Sequence, residues 1–254
     1  MSSKVDHLQQ VGHSVLGFPS RLLSRTRVAK DTVACQFQRP NNFLFRPGQF
    51  IELALRGVSG NGSQGLIHTF SIASSCFSSS ILVVTRMRDS DFKRALSVLP
   101  LGTEVSIRGP MGSFILHNDL SRPAVLVAGG IGIAPFLSML SSAAIDPAHP
   151  PVFLFYANRY VEDAAFMDTL CDLEMSNRSF HFVPTFTRIG PGNGGWKGQT
   201  GPINAQLLSK HINILRDPIY YVAGPPGMVV GAHQMLVGLG APEEDIRREH
   251  FAGY

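Results

Sequence analysis

The chain has 254 residues, 44% of them hydrophobic and 16% charged, and its 22 basic and 18 acidic side chains leave a net charge of +4. Charged residues well below the globular average of about 25% exclude an intrinsically disordered chain, and 25 Gly with 17 Pro in no three-residue period exclude collagen while favouring a turn-rich fold. No run of more than two adjacent Lys or Arg residues occurs, which argues against nucleic acid as a partner.

In chain order, residues 1 to 24 carry Lys4 and Arg21 without a continuous apolar stretch, and they read as a flexible leader, with a transit peptide as the alternative. Short strands rich in β-branched and aromatic residues are then expected at Val33 to Phe37, Gln49 to Leu55, Ile67 to Ala73, Ile81 to Arg86 and Glu104 to Arg108. A helix at Asp91 to Leu99 interrupts them, because Phe92, Leu96 and Leu99 recur at helical spacing behind the caps Asp89 and Ser90. Closely spaced strands of this kind predict a barrel or a sandwich over residues 25 to 120.

The rhythm changes near residues 118 to 122. Strand-length apolar runs at Ala124 to Ala128, Val152 to Tyr156, Ser179 to Phe186 and Ile219 to Val222 alternate with helix-length patterns at Ile133 to Ala144, Glu162 to Glu174, Asn204 to His211 and Pro226 to Leu239. Such alternation predicts a parallel sheet with helices on both faces over residues 121 to 254. Pro123 to Ile145 is uncharged and matches the ~20 residues of a membrane span, but Gly129-Gly130-Ile131-Gly132 turns the chain in its middle. A buried strand, a glycine turn and a buried helix explain the same apolarity, so no membrane span is expected.

Cys35, Cys76 and Cys171 lie far apart, odd in number, with no Cys-x-x-Cys spacing for zinc or an iron–sulfur cluster. Inert thiols in a reducing, cytoplasmic setting are expected, and no metal site. Two turns carry more specific chemistry. Gly130-Ile131-Gly132 with Pro135 follows a predicted strand and opens a predicted helix, where small residues admit a phosphate to free backbone N–H groups. Gly224-Pro225-Pro226-Gly227-Met228 repeats that context after the strand Ile219 to Val222, on the sheet edge where ligands bind in open parallel sheets.

Together with His68-Thr69-Phe70-Ser71 and Gly109-Pro110-Met111-Gly112, these turns resemble, in order, the motifs of the ferredoxin-NADP reductase superfamily, over about residues 25 to 254. The resemblance implies an antiparallel Greek-key β-barrel that binds FAD, then a Rossmann-like α/β domain that binds NAD(P)H. It implies an FAD-dependent oxidoreductase that moves hydride from NAD(P)H to flavin N5 and electrons to a separate acceptor, a redox protein such as ferredoxin or flavodoxin. The alternatives are a reductase subunit of a multicomponent oxygenase and a non-enzymatic FAD or nucleotide redox sensor.

Carried onto this chain, the resemblance implies that Phe70 packs on the isoalloxazine, Ser71 hydrogen-bonds N5, Phe251 covers the flavin face and Glu249 serves the acceptor reaction; Ser71, Glu249 and Phe251 are the catalytic candidates. His68, Thr69, Thr85, Arg86, Phe92, Lys93, Gly109, Gly112 and Tyr254 complete the implied FAD contacts. His68 stands where the family has Arg, so less phosphate attraction comes from that position. Lys93 either supplies the missing charge or is a surface cation. Ala223 replaces a frequent cysteine. For the nucleotide, Gly130, Gly132, Pro135, Gly224, Pro225, Pro226 and Met228 form the turns. Thr187-Arg188 resembles a pair that grips the NADP phosphate, Arg159 is a second cation, and the absence of an acid at the end of the second strand favours NADPH over NADH.

Overall fold

The structure, a computed structural model, describes residues 17–55, 66–145, 149–189 and 195–251. Its first half is a six-stranded antiparallel sheet that wraps into a barrel. The strands are β1 (Phe18–Ala29), β2 (Thr32–Gln38), β3 (Phe50–Leu55), β4 (Leu66–Ser71), β5 (Ser80–Arg86) and β6 (Glu104–Met111), in the order β4-β3-β6-β1-β2-β5. Alternation drives it: β3 reads buried at Ile51, Leu53 and Leu55, and these side chains meet Leu22, Phe37, Ile72 and Val83 in one core. Helix α1 (Asp91–Val98) closes one end, with Ser90 Oγ accepting the Lys93 backbone N–H and Phe92 and Leu96 entering the same core.

The second half is a six-stranded sheet of order β10-β9-β8-β7-β11-β12, all of whose pairings are parallel. Its strands are β7 (Ala124–Gly129), β8 (Val152–Asn158), β9 (Phe180–Phe186), β10 (Gln199–Thr200), β11 (Ile219–Gly224) and β12 (Ile246–His250). The central strands β7 and β11 are buried at every residue, as a sheet covered on both faces requires. Helices α2 (Ile133–Ala143) and α3 (Met167–Ser176) pack on one face through Phe136, Leu140 and Leu170, and α4 (Ala205–Ser209) and α5 (Pro226–Gly238) on the other through Leu207, Leu208, Val229 and Leu236.

Three expectations change. Residues 18 to 24, expected in a flexible leader, belong to β1, whose Ser20 and Leu22 are buried while Arg21, Leu23 and neighbouring polar residues face outward. The charged outward face hid the strand. The single helix expected from Glu162 to Glu174 is a short 3₁₀ turn at 161–163, then α3, separated by Phe166 in the left-handed region at φ 62°. Strand β12 was not expected at all, because Ile246-Arg247-Arg248-Glu249-His250 is an edge strand with one buried residue.

The uncharged stretch that mimics a span is strand β7, the glycine turn and helix α2. Its serines face the barrel: Ser138 Oγ donates to the Ser74 carbonyl at 2.7 Å, and Ser142 Oγ accepts from the Cys76 N–H at 3.1 Å. No helix among the described residues is long and apolar enough to cross a membrane.

Candidate functional site

Between β4, β5 and α1 on the barrel side and the carboxyl edge of the parallel sheet lies a cavity of about 320 Å³. The barrel contributes His68, Thr69, Phe70, Ser71, Thr85, Arg86 and Lys93 to its wall. The sheet contributes Ile131 and Ala134 from the turn after β7, and Glu249, His250 and Phe251 from the end of β12. Residues nearly 180 positions apart meet because β12 runs parallel to β11 and ends beside Gly224, whose carbonyl accepts the Phe251 N–H at 3.0 Å.

Ser71 Oγ donates to Glu249 Oε1 at 3.2 Å. The other carboxyl oxygen, Oε2, is buried without a hydrogen-bond partner among the described residues. Burial pushes the Glu249 carboxyl up to about 7, and the Ser71 hydrogen bond only partly opposes it. This hydroxyl and carboxyl can therefore hold or release a proton near neutrality at one wall of the cavity.

The opposite corner is basic. Lys93 is only 8% exposed, and no carboxylate lies within ion-pair distance of it among the described residues. Burial, then the charge of Arg88, lowers its affinity for a proton. His68 packs edge-on against Phe70 and Phe92, with ring centroids 4.8 and 5.3 Å away. Burial, then the charge of Lys93, holds its imidazole below the usual value, so it is neutral at pH 7. Arg86 is already engaged, its Nη2 2.7 Å from Asp163 Oδ1 across the junction between barrel and sheet.

Of the expected flavin contacts, His68, Thr69, Phe70, Ser71, Thr85, Arg86, Lys93, Glu249 and Phe251 share this cavity. Phe92 is buried behind it against His68 and Phe70. The reading of Lys93 as a surface cation does not hold, because the side chain is buried at the cavity wall. Gly109 and Gly112 are not among the lining residues; they lie at the end of β6 against Phe50, whose strand partner is Ser71. Tyr254 lies outside the described residues. Sequence reasoning missed Ile131, Ala134, His250 and Val84 at the wall, and Asp163 as the partner of Arg86. The first two fill the x positions of the glycine turn, a signal that was present; Asp163 carried none.

At the nucleotide edge the two expected turns lock together. A Cβ on Gly132 would meet the Ala223 carbonyl and come within 2.8 Å of Gly224 Cα, and Gly129 faces the Met228 thioether and Pro225. Gly130 adopts φ 53°, Pro135 is buried in the first turn of α2, and Pro226 opens α5. Farther along the edge, the Arg188 N–H donates to the Arg159 carbonyl at 2.9 Å and the Thr187 N–H to the Asn158 carbonyl at 2.9 Å. Arg159, Thr187 and Arg188 are thus exposed neighbours at the carboxyl ends of β8 and β9.

Residues 126–234 match the family model described as an oxidoreductase NAD-binding domain. The chain is 26% identical over 217 residues to the reductase component of propane 2-monooxygenase from Mycolicibacterium goodii, covering 84% of this chain and 60% of that protein. It is 27% identical over 251 residues to the toluate 1,2-dioxygenase electron transfer component of Pseudomonas putida, covering 99% of this chain and 71% of the relative. Among solved structures, the ferredoxin NADP+ reductase of Neisseria gonorrhoeae with bound FAD and NADP superposes with a TM-score of 0.77 at 22% identity, over 91% of this chain and 97% of that one. The last likeness speaks to the fold.

Proposed function

We propose that this chain, which shares the fold of a ferredoxin NADP+ reductase and carries an oxidoreductase NAD-binding segment, is a member of the ferredoxin-NADP reductase superfamily and an NAD(P)H-dependent flavoprotein reductase serving a separate electron acceptor. The observation that carries the reading is the cavity at the junction of barrel and sheet, where Ser71 and Glu249 are hydrogen-bonded at 3.2 Å and Lys93 is buried with no carboxylate within ion-pair distance among the described residues. FAD fits these residues: an ammonium with no carboxylate within ion-pair distance among the described residues suits a phosphate, and Glu249 Oε2, without a hydrogen-bond partner there, is a polar group left for a bound ring system. When bound, FAD supplies the redox centre that accepts hydride at N5 from NAD(P)H and yields electrons to the acceptor.

The protein's own residues do the rest. The Ser71 hydroxyl offers a hydrogen bond at the cavity wall, and Glu249 holds a proton beside it. Phe251, partly buried against the apolar cluster beneath the sheet edge, covers the cavity from the nucleotide side and must move for a nicotinamide to approach. Arg159 and Arg188 with Thr187 suit the 2′-phosphate of NADPH, since guanidinium forks match phosphate geometry. Residues 25–120, extended back to the start of β1, are the flavin-binding unit, and residues 121–254 the nucleotide-binding unit.

Titrating the purified protein with FAD and then adding NADPH or NADH without oxygen tests this. Flavin should bind and lose its oxidised absorbance, faster with NADPH. Ser71→Ala should retain FAD and be reduced about tenfold or more slowly. Failure to bind FAD, or bound FAD that neither nucleotide reduces, would overturn the proposal and leave a sensor. The named relatives also favour a second reading within the same chemistry, in which the acceptor is an oxygenase component.

A further inference from the structure

We propose that His68 and Lys93 form a proton-linked clamp for the diphosphate of the flavin, so that binding FAD places a proton on the His68 imidazole. The inference rests on the flavin-binding reading above and concerns how that site holds its anionic ligand.

The geometry comes first. His68 and Lys93 line the same corner of the cavity, His68 from β4 and Lys93 from α1, with Phe70 and Phe92 walling the imidazole on its apolar side. Lys93 is buried with no acid to neutralise it among the described residues, an arrangement that favours an anion in the cavity. One ammonium against a diphosphate leaves negative charge uncompensated. Among the described residues that line the cavity, the other barrel-side cation is already engaged. From β5, Arg86 is held by Asp163 at 2.7 Å. From β3, Glu52, in register with Thr69, is held by Arg108 at 2.6 Å. Arg88, beyond β5, acts on Lys93, and across the cavity stand Glu249 and His250 on β12.

On the Lys93 side of the cavity, the imidazole is the group whose charge can adjust. Without flavin, burial and the Lys93 charge keep it neutral. A phosphate beside it reverses the sign of the local field, and the imidazolium becomes the favoured form. The proton comes from solvent or buffer and remains on the ring while flavin is bound; no other bond changes. By linkage, affinity for FAD falls as pH rises through the interval between the two imidazole values, by up to about tenfold per pH unit. An arginine at this position would hold its charge throughout, so the dependence belongs to this chain's histidine.

The test is flavin affinity measured on the apoprotein by calorimetry from about pH 5 to about pH 9, in buffers of differing ionisation enthalpy. Riboflavin, which lacks the diphosphate, is the control, because Glu249 titrates in the same cavity and would act on either ligand. The expected result is proton uptake on binding FAD, FAD affinity that weakens with rising pH, and riboflavin affinity that does not follow it. His68→Arg should abolish both the uptake and the slope while keeping FAD bound at high pH. Lys93→Met should bring FAD affinity down toward that of riboflavin. FAD affinity independent of pH, or riboflavin sharing the slope, would overturn the clamp and leave the flavin reading intact. Absence of any flavin binding would overturn both.

Discussion

The glycine turns at the sheet edge and the polar wall of the cavity lie side by side, yet they are built on opposite principles. In the turns the protein fills its own space: Gly132 and Gly129 lack side chains because the Ala223 to Met228 segment occupies the volume a Cβ would need. At the wall, among the described residues, the protein leaves Lys93 without a carboxylate partner and Glu249 Oε2 without a hydrogen-bond partner. A motif conspicuous in sequence can thus be spent on packing two turns together, while the chemistry stands on residues that are ordinary until their burial is known.

The largest effect should come from filling a turn. Gly132→Ala drives a methyl into the Ala223 carbonyl and toward Gly224 Cα, and backbone on both sides leaves no flexible side chain to yield. A loss of about 3 kcal/mol is expected by denaturant unfolding. A change under about 1 kcal/mol would show that the two turns separate at little cost and would break the contrast.

Next in size is the ion pair that fixes the cavity's two halves. The Arg86 and Asp163 side chains are 20% and 10% exposed, so removing one leaves the other charge largely desolvated. Arg86→Ala should cost about 2 kcal/mol. Glu162 of the same 3₁₀ turn and Lys30, between β1 and β2, are 3.3 Å apart and each about half exposed, and should contribute no more than about 0.5 kcal/mol. Double-mutant cycles on the two pairs compare them directly, and equal couplings would contradict the assignment of Arg86 to a structural role.

Much of this architecture was legible in the residues. Short runs rich in β-branched and aromatic residues marked β2 through β6, continuous apolar runs marked β7, β8, β9 and β11, and the change of rhythm near residue 120 separated them. Strands β1 and β12 were not legible, because arginines and a glutamate on their outward faces mask the alternation. For the site, Ser71, Phe70 and Phe251 were named through motif resemblance, but the state of Lys93 and Glu249 depends on burial by elements distant in sequence. The neutral His68 is a third such case: its type was visible, its environment was not.

The polar wall makes its own prediction about pH. Glu249 is protonated more readily in the folded chain, at about 7 against an ordinary 4.5, so the folded state binds the extra proton. Its contribution to stability is complete below the ordinary value and is lost as pH rises through about 7. Glu249→Gln should remove that slope, seen as a melting temperature that falls less between about pH 5 and pH 8 than in the parent protein. An unchanged slope would place the cause of the decline elsewhere and weaken the reading of Oε2 as a buried, unpartnered oxygen.

The smallest expected effect on stability is the sharpest test of the contrast. Gly227 stands one residue into α5, in the same cluster as Gly224, but a Cβ added there meets nothing within 4 Å, and its φ is not in the left-handed region. Packing therefore gives no reason for glycine, and Gly227→Ala should leave unfolding within about 0.5 kcal/mol of the parent. If the open space is where a nucleotide passes close to the backbone, the same variant should raise KM for NAD(P)H with kcat little changed, since a methyl in that path obstructs ground-state binding alone. Stability and KM both unchanged would assign the glycine to neither role. A lower stability with unchanged KM would make Gly227 a packing glycine after all, and the division between turns filled by protein and space left for a ligand would then have to be drawn elsewhere on this edge.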